Sequence, residues 1–206
     1  SNQEAFGSRL SNPREAAGRI HGELLRAYYA THGGSQDAAA VAADVRALAA
    51  ERPDWQSLCG APCPDSAGKA TALLADTRDW RMRIRVSGMT AAGGQVLEDF
   101  ASGLMEGYES GWDGAQLGTY IDAFEQALPQ AGLKDFDETV IWNVAAVARS
   151  AAEAARKRPK KEEDPEWDLL IANLVGAAHG ATESSASAAE LGLVLGIVGQ
   201  PARPQD

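Results

Sequence analysis

The stretch DPEWDLLIANLVGAAHGATESSASAAELGLVLGIVG, residues 164–199, decides the fold. Asp164, Pro165 and Glu166 read as a helix start: a side-chain acceptor at the cap, then a proline whose missing N–H costs nothing there. Trp167, Leu170, Ile171, Leu174, Val175 and Ala178 then form one apolar stripe of an α-helix. A polar break, Thr182 to Ser187, precedes Leu191, Leu193, Val194, Leu195, Ile197 and Val198. That last segment is apolar nearly all round, which predicts burial on most sides. Ala188, Gly192, Gly196 and Gly199 form a ridge of small residues along it, where another helix can approach closely. The same ridge marks membrane helix pairs, but the apolar run is far shorter than the roughly 20 residues a span needs. No membrane span is expected.

Outward from this stretch, the chain reads as all-α. Alanine is abundant and only 6% of residues are aromatic, a balance that favours helices over sheets. Helical stripes recur from Ala17 to Tyr28, from Val41 to Leu48, from Ala70 to Thr77, from Leu97 to Tyr108, from Leu117 to Leu128 and from Val140 to Ala151. The expected helix caps are Asn12 with Pro13 and Glu15, Ser35, Ser66 and Asp137. Residues 52–64, 87–94 and 129–136 are expected as loops, and 156–164 as a charged linker. Arg81 to Val86 alternates polar and apolar as a strand would. With no partner strand nearby it is expected as a frayed helix end or extended connector. The result is an irregular bundle of about seven or eight helices. One helical domain over 12–200 is expected, with a possible sub-boundary near 87, a disordered segment at 1–11 and a tail at 201–206.

Composition narrows the function classes. A net charge of −10 argues against nucleic-acid binding, which needs clustered Lys and Arg. The start at Ser1, with Ser1 and Asn2 reading as a tag remnant, suggests a removed leader. Cys59 and Cys63, in Cys-Gly-Ala-Pro-Cys, are close enough to pair. A disulfide there would place the chain in an oxidising compartment, periplasmic or extracellular, as in an exported bacterial protein. The spacing is one residue longer than the Cys-Gly-Pro-Cys redox motif, and no βαβ context surrounds it. Zinc would need two further ligands; no metal or cofactor is expected.

Catalytic motifs are sparse. There is no Gly-x-Ser-x-Gly, and Ala-Gly-Lys-Ala-Thr at 67–71 lacks the first glycine of a phosphate loop. His179 and Glu183 stand four apart and can share a helix face. His21 and His32 flank one helix, eleven residues apart, and are not expected to act together. The most unusual feature is charge. No Lys or Arg occurs from Val86 to Leu133, while Glu98, Asp99, Glu106, Glu109, Asp113, Asp122 and Glu125 do. Two helices carry these carboxylates, with Trp112 in the turn between them. The expectation is a non-enzymatic, immunity- or inhibitor-like protein that binds another, basic protein through this acidic hairpin, Trp112 anchoring its tip. Neutralisation by Arg81, Arg83 and Arg85 would make the hairpin merely structural. The alternatives are an enzyme with a carboxylate/histidine site in an interhelical cleft, or an intracellular helical scaffold.

Overall fold

The computed structural model describes residues 12–59, 63–156 and 165–199; for 155–156 and 165–169 only the backbone is described. The expectations for 1–11, 157–164 and 201–206, and for the Trp167 side chain, lie outside these residues. Among the described residues there are ten α-helices and no strand. They are α1 Glu15–Thr31, α2 Ala38–Ala50, α3 Pro53–Cys59, α4 Ser66–Ala75, α5 Trp80–Arg83, α6 Ala91–Glu109, α7 Gly114–Ala127, α8 Asp135–Arg156, α9 Pro165–Ala181 and α10 Ser185–Val198. A 3-10 turn, Leu128–Ala131, follows α7 and ends at Gly132 in the left-handed region, φ 66°.

Helix α10 is the axis of the bundle. Every residue of it except Ser187 is buried, and α1, α2, α3, α4, α8 and α9 all pack against it. Its all-round apolar sequence requires this, since no face of it is suited to water. The ridge of small residues does what its spacing implies. A Cβ on Gly176 of α9 would come within 2.5 Å of the Leu191 carbonyl oxygen, and one on Gly180 would meet the Ser187 carbonyl. On the α10 side, Gly192 faces the Asn173 carbonyl at 3.0 Å, and Gly196 faces the Asn173 side chain. The two backbones therefore touch directly.

Capping chemistry sets several boundaries differently from the sequence reading. Asp37, not Ser35, caps α2; Asp65, not Ser66, caps α4. In each case a carboxylate oxygen reaches an N–H two residues on. Helix α1 begins at Glu15 with Asn12 tethered outside it, its amide donating to the Trp142 carbonyl at 2.8 Å. The expected loop at 52–64 contains helix α3, started by Pro53 and Asp54 in its first turn. The alternating Arg81–Val86 stretch is one turn of helix capped by Asp79, and its buried Ile84 and Val86 follow that turn. Thr90 caps α6, which starts at Ala91, inside the stretch 87–94 expected as a loop. Asp137 lies inside α8 rather than at its cap. Its buried carboxylate instead accepts from the Thr90 N–H at 3.1 Å and from the Thr90 hydroxyl, pinning α8 to the start of α6.

One ion pair crosses into the core. Glu190 of α10 is 1% exposed, and both its oxygens accept from Arg46 of α2 at 2.8 Å. Arg46 also donates to the Pro64 carbonyl at 2.6 Å and lies 5.0 Å over the Trp55 ring. The same loop carries the Cys59–Cys63 disulfide, with Cα atoms 5.4 Å apart. No helix of the described residues is long and apolar enough to cross a membrane.

Breaking this pair from one side strands a buried charge, which is costlier than never having had it. Arg46→Ala should lower unfolding stability by about 3 kcal/mol, the low end for buried pairs because Arg46 itself reaches solvent. Adding Glu190→Gln should recover part of that loss. Equal stability of wild type and Arg46→Ala in urea denaturation would contradict the assignment.

Candidate functional site

A groove of about 550 Å³ lies between α1, α7 and α8. It runs on into a second of about 410 Å³ along α1 and α8; Gly22, Arg26, Ser150 and Glu153 line both. The groove exists because α1 presents small residues to α8. A Cβ on Gly18 would collide with the Ala146 carbonyl, so the helices are in backbone contact there. One turn later Gly22 is tightly fitted as well: a Cβ on it would stand only 3.1 Å from the Ser150 Oγ and 3.4 Å from the Arg26 Nη1.

A chain of three polar side chains lies beneath. His21 is 1% exposed. Its Nδ1 is 2.8 Å from the Ser150 Oγ and its Nε2 is 2.7 Å from the Asn173 Oδ1. A carbonyl oxygen only accepts, so Nε2 carries the ring proton and donates to Asn173. Nδ1 is then bare, and the Ser150 hydroxyl donates to it. Burial pushes the His21 pKa down to about 4, with the Asn173 hydrogen bond opposing part of the fall, so the ring is neutral at pH 7. Asn173 is held in turn by the glycine at 196, whose missing side chain leaves it room.

Charges rim the groove. Arg149 donates to Glu125 and pairs with Asp122, each at 2.7 Å. Burial raises the Glu125 pKa, and Arg149 works against that rise. Arg19 pairs with Asp54. Arg26 is exposed, and it forms no ion pair with another described residue.

The acidic hairpin divides into two parts. Glu98 is taken by Arg85 at 2.7 Å, with Arg81 at 4.0 Å. Asp122 and Glu125 belong to Arg149 and the groove wall. Arg83 instead donates to the Leu73 and Asp76 carbonyls. Asp99, Glu106, Glu109 and Asp113 are exposed, and none pairs with a described cation. Asp99 accepts from the Gln95 amide at 2.8 Å, and Asp113 caps α7 through a capping box with Gln116. Trp112 is half-buried. It covers Gly107 and lies 5.9 Å from the Tyr120 ring, so it caps the hairpin core rather than standing free. Tyr120 donates to the Phe100 carbonyl, and its pKa is pushed up to about 12, first by burial and then by Asp99 and Glu106.

His179 and Glu183 do not meet as a pair. The His179 Nε2 donates to the Arg83 carbonyl at 2.6 Å, while Glu183 pairs with Lys69. Among the described residues no three His, Cys, Asp or Glu side chains converge on a metal-sized space. His21 was the missed residue. It falls four after Ala17 and three before Leu24, on the buried stripe of α1, and a polar residue on such a stripe is the signal. Comparison with protein-family models, with curated proteins and with solved structures yields no match to this chain.

The neutral His21 links stability to pH. Below about 6.5 the unfolded chain takes up a proton on this ring, whereas the folded chain does not until about 4. Its contribution is therefore present above that window and is lost as pH falls through it, by about 3 kcal/mol in all. His21→Gln cannot titrate, so the stability gap between wild type and variant should shift by that amount between the two pH values. A gap independent of pH in urea titrations would contradict the buried neutral ring.

Proposed function

We propose that this is an exported helical protein that binds a small polar molecule in the α1–α7–α8 groove, and that Arg26 engages an anionic group of it. The observation that carries the reading is the hydrogen-bonded chain Ser150–His21–Asn173, which reaches the groove at Ser150, beside a guanidinium with no ion-pair partner among the described residues. Ligand sites combine a concave surface with a few fixed polar groups. The disulfide supports an oxidising compartment. This favours the cleft alternative from the sequence over the acidic hairpin, because three of the seven hairpin carboxylates are neutralised within the chain and Trp112 is packed. The histidine of the cleft is His21 rather than His179.

A panel of small carboxylates and phosphomonoesters, screened by thermal shift, tests the groove. At a hundredfold excess over Kd, a ligand stabilises the fold by about 2.7 kcal/mol, a shift of a few degrees. At least one member should raise the wild-type Tm, and Arg26→Ala should lose that shift. Shifts unchanged in Arg26→Ala, or absent from the whole panel, would count against it.

A second reading retains the hairpin tip as a docking face for a basic protein. It is favoured by the exposure of Asp99, Glu106, Glu109 and Asp113 with no described cation paired to them. Complementary charge acts mainly on association rate and is screened by salt. Glu106→Lys with Glu109→Lys should slow capture of a partner from native extract at low salt and leave the fold intact. Capture at the wild-type rate would end this reading.

A further inference from the structure

Ser150 departs from the habit of hydroxyls inside helices. Such groups usually donate to the carbonyl one turn back. Thr31, Thr71 and Thr119 do so here, to Ala27, Ala67 and Ala115 at 2.9–3.1 Å. The Ser150 Oγ points instead at the bare Nδ1 of His21, 2.8 Å away. A hydroxyl donating to a neutral imidazole, whose far nitrogen is fixed by a third group, is the arrangement that activates a nucleophile. The third group here is the Asn173 carbonyl oxygen at 2.7 Å. Ser150 lines both grooves, and the Arg26 Nη1 approaches the same space.

The geometry points to Ser150 as an acyl-accepting nucleophile and His21 as its general base, with Asn173 the positioning residue, acting on a small ester bound in the groove through an anionic group; this presupposes the groove as the ligand site. The Ser150 Oγ bonds to the ester carbonyl carbon as its proton passes to the His21 Nδ1. The negative charge that develops on the carbonyl oxygen collapses back as the bond to the alkoxide breaks, while Arg26 holds the anionic group of the ester. The alkoxide leaves with the proton from Nδ1, giving an acyl-serine and an alcohol. Water then adds to the acyl carbon and gives its proton to Nδ1. That proton returns to Oγ as the carboxylic acid departs. Burial keeps the ring neutral and so able to take a proton at pH 7, and the Asn173 hydrogen bond opposes part of the loss of basicity that burial causes.

Diisopropyl fluorophosphate tests this on the intact protein. Its phosphorus takes the Ser150 oxygen, fluoride leaves, and the hydroxyl proton passes to His21. One adduct should form, mapped to Ser150 by peptide mass spectrometry and absent in Ser150→Ala. His21→Gln should slow labelling about 100-fold or more. Should that variant fail to fold, the Asn173 pair carries the point. Asn173→Ala should slow labelling about 10-fold or more, and Asn173→Asp, which keeps the acceptor, should restore it. A wild-type Ser150 without adduct, or labelling unaffected by both His21→Gln and Asn173→Ala, would overturn the inference. The probe carries no anionic group and makes no demand on Arg26. An unlabelled Ser150 therefore sinks the nucleophile and leaves Arg26-dependent ligand binding standing. A labelled Ser150 with no such binding sinks the Arg26 assignment alone.

Discussion

Everything in this bundle depends on two backbones touching, those of α9 and α10. Gly176 and Gly180 on one helix meet the Leu191 and Ser187 carbonyls of the other, and Gly192 and Gly196 return the contact. Side chains at these places would force the helices apart, because the clashing atoms are largely backbone and cannot rotate away. Close approach makes α10 a thin central rod. Six helices can then surround it within a chain of 206 residues. The cost is that any polar group on that rod or facing it must find a partner inside.

Two polar systems meet that requirement in different ways. Glu190 reaches outward to Arg46, which ties the central helix to the disulfide-bearing loop through Pro64. A buried ion pair is weak evidence of added stability, but it fixes one register of α2 against α10. His21 reaches the other way. It joins α1 to α8 through Ser150 and to α9 through Asn173, so three helices share one imidazole. Gly196 makes room for Asn173, and Asn173 sets the tautomer of His21. The glycine ridge thus governs, two contacts away, what the Ser150 hydroxyl can do at the groove floor.

The fold was largely legible in the sequence because its signals are local. The stripe of α9, the all-round apolar α10 and its small ridge each lie within a few turns of helix. Boundaries were less legible where two neighbouring residues competed as caps, as Ser35 with Asp37 and Ser66 with Asp65. The alternation at 81–86 misled because a single helical turn is too short to show its own period. The groove was hardly legible at all. His21 lies 129 residues from Ser150 and 152 from Asn173, so no spacing connects them. The only hint is a histidine on a buried stripe. The acidic run was conspicuous in composition, yet composition does not show that Arg85 and Arg149 fold back onto part of it.

The tautomer of His21 is where fold and site meet, and nitrogen NMR of the imidazole measures it directly at neutral pH. The account predicts a neutral ring with the proton on Nε2, protected from exchange, and a bare Nδ1 accepting from Ser150. A ring protonated on Nδ1, or an imidazolium with both nitrogens protonated, would contradict it.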